Sequence, residues 1–164
     1  MRTLALGLVA VCSLLIAPSA PSAEPDTPVE GSTEPPFDAA LAQRLGADER
    51  GMRAYVLVIL KTGPNRMSDG EARSVMFAGH FANMERLSKA GKLALAGPFM
   101  PSDAGWRGLF VFAVKDVEEA RALTETDPVI VNGEMVAEYH PWYGSAALMQ
   151  VPAIHAQLQP PKSD

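Results

Sequence analysis

Read from Ala54, the stretch "AYVLVILKTGP" is an unbroken β-branched and aromatic run of strand length that stops at Gly63 and Pro64. After the polar loop "NRMSDGEA" the apolar spacing becomes helical. On a wheel at about 100° per residue, Met76, Phe77, Phe81, Met84 and Leu87 fall in one arc, with Asn83, Glu85, Arg86 and Lys89 outside it. This spacing predicts a long helix from about Glu71 to Ala90, ended by Gly91. "KLALAGPF" predicts a second strand, and "PSDAGW" turns the chain into a third, "RGLFVFAV". In that strand Leu109, Val111 and Ala113 face one way and Phe110, Phe112 and Val114 the other. "DVEEARALTET" predicts a second helix capped by Asp116, "DPVIVNGE" a short connection, and "MVAEYHPWYG" a fourth strand closed by proline and glycine.

The order β-α-β-β-α-β is the split unit of ferredoxin-like α+β folds, an antiparallel sheet with two helices on one face. The third strand is apolar on both faces, so the face without helices also needs cover. A second copy of the chain is the simplest cover, and a homodimer is expected.

The ends read differently. Arg2 precedes an apolar run from Leu4 to Ile16 that gives way to small residues and prolines, the pattern of a secretory signal peptide over residues 1–23, cleaved between Ser19 and Ala23. A membrane anchor would need roughly 20 apolar residues, and proline intervenes first. A lipid-modified Cys12 is disfavoured by the bulky Val11 before it. Residues 24–51 read as a flexible Pro-rich linker and a short helix in "FDAALAQRLGADERG", with Asp38 at its start and Gly46 at its end. Residues 52–145 form the domain, and 146–164 a C-terminal tail in which His155 is placed at the surface.

Composition narrows the chemistry. Of 164 residues 48% are hydrophobic and 20% charged, which suits one folded domain with extensions. With Cys12 removed, the mature chain has no cysteine, so thiol catalysis and Cys-ligated zinc are excluded. A net charge of -5 without any basic run argues against nucleic acid or an anionic membrane surface as a partner. A periplasmic or secreted location is expected, with no membrane association after cleavage.

One residue breaks the core arc of the long helix. His80 lies inside it, and an imidazole there needs polar partners for its ring nitrogens. A structural histidine bonded to a backbone carbonyl is one reading. A partner in Asp127 of "ETDPV" is the other. A carboxylate at the end of the preceding helix is not favoured by that helix's dipole, although Asp followed by Pro is also the cap and first residue of a new short helix reaching to Gly133. Glu138 and His140, two apart in the fourth strand, could join a metal site only without any recognised spacing, and no metal is expected.

"YVLVILKTGP", "HFANMERLSKAGKLALAGPF", "RGLFVFAV" and "TDP" followed by "EYHPWYGSAAL" together resemble the YCII-related family, specifically its secreted members, over about residues 52–145. The resemblance implies a dimeric α+β barrel of two ferredoxin-like sheets and a site pairing a helix-one histidine, here His80, with an aspartate of a "DP" motif, here Asp127. It also implies elimination-type lyase chemistry on aromatic or lactone-like compounds. An Asp-oriented His suits proton abstraction, as in a lyase or isomerase that needs no cofactor, and there is no G-x-S-x-G elbow for covalent catalysis. Phe99, Trp106, Arg107, Trp142 and Tyr143, at strand ends, are the candidate lining of a substrate pocket, with Arg107 suited to a carboxylate. The alternative function is a non-catalytic small-ligand-binding or stress-related dimeric module.

Overall fold

A short amphipathic helix opens the folded part. In a computed structural model describing residues 35–101 and 103–160, α1 spans Ala39–Leu45, its first turn closed by Asp38 and its end by Gly46 at φ 68. The predicted signal peptide, nearly all of the linker's proline-rich part and the last four residues lie outside the described residues.

Four strands follow, β1 over Met52–Thr62, β2 over Leu93–Pro98, β3 over Trp106–Phe112 and β4 over Met135–Ser145. They form an antiparallel sheet in the order β2-β3-β1-β4. Helix α2 spans Glu71–Lys89, α3 Val117–Thr124 and α4 Pro128–Val131. This is the predicted α+β, ferredoxin-like arrangement, with "DPVIVN" supplying one extra helical turn. Strand four was expected to close at its proline, yet β4 runs through Pro141 to Ser145. It is an edge strand, where a residue without an N–H is tolerated.

The two faces of β3 separate as its alternation predicts. Phe110 and Phe112 join Val56, Val58 and Leu60 of β1 under the helices, against Met76 and Leu87 of α2 and Ala120 of α3. Val111 and Ala113 join Tyr55 and Ala94 on the opposite face. Each large side chain buried in this way contributes about 1.5–3 kcal/mol, so the helix-side cluster dominates the core.

The chain also covers part of the second face by itself. The segment expected to be a tail forms a 3-10 helix over Ala146–Gln150 and α5 over Val151–Leu158, and Leu148 and Met149 pack against the Tyr55 cluster. Beyond that cover, Leu95, Trp106, Val136 and Trp142 remain exposed. His155, on α5, is exposed as expected. Among the described residues no helix is long and apolar enough to cross a membrane.

Candidate active site

Helix α2 carries the site on its buried stripe. That stripe is Met76, His80, Asn83 and Leu87, spaced four, three and four residues apart. It differs from the predicted arc in two places, since Phe81 is 61% exposed while Asn83 is buried. The helix is rolled towards α4, where Gly79 lies so close to Pro128 that a Cβ would stand 3.0 Å from its Cγ. Burial of Asn83 is possible because its Oδ1 accepts bonds from Arg86 at 2.6 Å and Thr126 at 3.2 Å.

The roll brings His80 to Asp127. His80 Nδ1 lies 2.9 Å from Asp127 Oδ1 and 2.8 Å from Oδ2. Asp127 is 1% exposed and also caps α4, its Oδ1 accepting from the Val129 N–H at 3.1 Å. Capping and pairing therefore coexist in one carboxylate. An ionised carboxylate only accepts, so pairing with one requires a proton on Nδ1, and a ring carrying that single proton presents a lone pair at Nε2. No described residue bonds Nε2, and the His80 side chain keeps 9% of its surface open. The ring is fixed by Phe110, stacked at 5.9 Å, and by Phe77 and Phe81 at 6.0 and 5.4 Å.

Beside this aromatic wall lies a pocket of about 400 Å³, bounded by Phe77, Phe81, Arg73, Ser74, Arg107 and Asp69. Its volume falls in the range of small-ligand sites. Behind it is a buried ion cluster that sequence reasoning missed. Glu134 is 0% exposed; its Oε1 accepts from Arg73 at 2.8 Å, its Oε2 from the Met67 N–H at 2.7 Å, and Arg107 stands 3.9 Å away. Burial by itself would push the Glu134 carboxyl up, but the Arg73 and Met67 hydrogen bonds and the two guanidinium charges outweigh it and hold the group below its usual range. The same Glu134 contact holds Arg73 above its usual value. Backbone geometry positions Glu134: Gly133 sits at φ 70, and Gly63 donates to the Glu134 carbonyl at 2.9 Å, so close to the Gly133 carbonyl that a Cβ would collide with it.

Of the five residues expected to line a pocket, Arg107 alone borders this one. Phe99 and Trp106 pack on each other at 5.1 Å. Trp106 and Trp142 lie on the second sheet face, opposite Lys61 and Tyr55, and Trp142 packs on Tyr55 at 5.6 Å. Tyr143 donates to Asp48 at the other end of β1, beside a separate depression. Glu138 and His140 contact each other at 2.8 Å on the second face, across the sheet from His80 and Asp127. Among the described residues no group of three or more His, Cys, Asp or Glu side chains is arranged to hold a metal ion.

Comparison with known proteins agrees with the family named in the resemblance. The profile of the YCII-related domain matches residues 54–143. Among solved structures the chain is similar to 5-chloro-2-hydroxyhydroquinone dehydrochlorinase (TftG) from Burkholderia phenoliruptrix AC1100, in complex with 2,5-dihydroxybenzoquinone. The identity is 22% and the TM-score 0.41, over 54% of this chain and 92% of that one. No curated protein matches the chain.

Proposed function

The chain belongs to the YCII-related domain family, and we propose that within it His80 is the general base of a cofactor-free lyase or isomerase acting on a small organic substrate. The observation that carries this reading is the asymmetry of the His80 ring: Nδ1 is held by both oxygens of a buried carboxylate, and Nε2 makes no hydrogen bond among the described residues.

The chemistry follows from that asymmetry. Nε2 takes a proton from an acidified C–H of the substrate, and the electrons of the C–H bond form a new double bond as a leaving group departs with its own pair. The imidazolium is stabilised by the Asp127 carboxylate and returns the Nε2 proton to the leaving group or to water, which closes the cycle. In an isomerisation the same proton returns to a different carbon.

The proposal includes a periplasmic or secreted homodimer. The signal-like pattern of residues 1–23 supports the location, and the exposed Val136, Trp142, Trp106 and Leu95 on the second sheet face support a second copy there.

Turnover of a panel of hydroxylated aromatic and lactone substrates tests the reading. His80→Ala is expected to lose about 10²–10⁴-fold in kcat while keeping a cooperative unfolding transition. Unchanged turnover in a folded His80→Ala protein would remove the base. A panel with no turnover, but with ligand binding that His80→Ala leaves unaltered, would favour a binding module.

A further inference from the structure

Arg107 reaches the pocket only because β3 carries a bulge. The β1–β3 register is regular from Val56↔Phe112 to Leu60↔Gly108, but the next pair is Lys61↔Trp106, so Arg107 has no partner on β1. In a regular strand Arg107 would point to the same face as Leu109 and Val111, away from the helices. The extra residue turns it to the helix side, 3.9 Å from Glu134.

The charge of Arg107 supports the buried Glu134 carboxylate, but its hydrogen-bond donors are not used there. Both Glu134 oxygens are already engaged at shorter distance by Arg73 and by the Met67 amide. The Arg107 side chain is only 26% exposed, and its guanidinium makes no hydrogen bond among the described residues. Two arginines face one buried carboxylate, and Asp69, which pairs with Arg73 at 3.1 Å, is 95% exposed and screened by solvent. Arg107 thus brings to the pocket wall a planar fork whose donors make no hydrogen bond among the described residues. Arg73, Ser74 and the exposed Asp69 also line the pocket, and its apolar wall is the Phe77 and Phe81 rings, the latter 61% exposed and so outside the core.

We propose that this pocket is a subsite for a small aromatic carboxylate, Arg107 gripping the carboxylate and Phe77 and Phe81 flanking the ring. A guanidinium fork matches a carboxylate bidentately, and a flat apolar wall suits a ring rather than a bare anion. Arg107 and Phe110, which stacks on His80, are three residues apart on β3, a separation of about 10 Å. Phe77 and Phe81, which line the pocket, also contact the His80 ring, so the subsite lies beside the proposed base. The assignment rests on the reading of His80 as base for its meaning, but not for its test.

Benzoate, its neutral isostere benzamide, and acetate are titrated into the full-length protein and followed by calorimetry. Benzoate is expected to bind at least about tenfold more tightly than benzamide or acetate, and Arg107→Gln to remove at least about tenfold of the benzoate affinity, with Arg107→Lys between. Benzoate affinity is read without turnover, so an inactive substrate panel, which would remove the base, and an absent subsite are read separately. Equal affinity for benzoate and benzamide, acetate binding as tightly as benzoate, no saturable benzoate binding, or full benzoate affinity in Arg107→Gln would each overturn the proposal. Should Arg107→Gln fail to fold, the benzoate-to-benzamide ratio of the unaltered protein decides alone.

Discussion

A carboxylate with two oxygens can satisfy a helix end and an imidazole together, and Asp127 does both. Glu134 is the second buried carboxylate, and it leads to a pH prediction. Its folded value is below the ordinary 4.5, so the stability it contributes is fully present above that value and is lost as pH falls through the lower folded value. Urea unfolding at neutral pH should show Glu134→Gln less stable by about 1–3 kcal/mol, because the Arg73 contact loses its charge partner in a buried setting. On acidification below about 4.5 the gap between the two proteins should narrow; a gap that stays constant would mean the group titrates alike in both states. At this scale the sequence was legible where a residue violated a pattern. His80 was conspicuous inside an apolar arc, whereas Glu134 was one acidic residue in a loop, and only the fold brings Arg73 and Met67 to it. Phe81 and Asn83 exchanged places because hydrophobicity alone ignores the two donors that make Asn83 cheap to bury.

The elements were more legible than the residues within them. β-Branched runs, the Gly91 stop and the Asp38 and Asp116 caps act locally, so β1 to β4, α1, α2 and α3 can be read without the fold. The bulge at Arg107 and the helices after Ser145 cannot, because each depends on a distant partner. "AALMQVPAIHAQL" has a weak pattern of its own, and the surface it covers exists only once Tyr55, Ala94 and Val111 are assembled into a sheet face. If that cover is structural, Leu148→Ala should cost about 1–2 kcal/mol in denaturant unfolding, below the range for fully buried leucines since Leu148 is half-buried. A change near zero would make the segment an ornament on the sheet.

For the whole molecule, one face of the sheet is sealed by α2, α3 and α4, and the other is sealed in part by the chain's own C-terminal helices. What is left, Trp142 and Val136 on the edge strand with Trp106 and Leu95, is the surface on which the proposed second copy would sit. Light scattering should give twice the protomer mass at micromolar concentration, and Trp142→Glu or Val136→Glu should shift the protein to monomer; a monomer before any substitution would leave that face to another use. The proposed chemistry, however, depends on one ring. A long-range proton–nitrogen spectrum of His80, taken at a pH where the imidazole is neutral, measures its tautomer directly. Pairing with the Asp127 carboxylate requires a proton on Nδ1 and a lone pair on Nε2, with the proton moving to Nε2 in Asp127→Asn. A proton on Nε2 in the unaltered protein would contradict it.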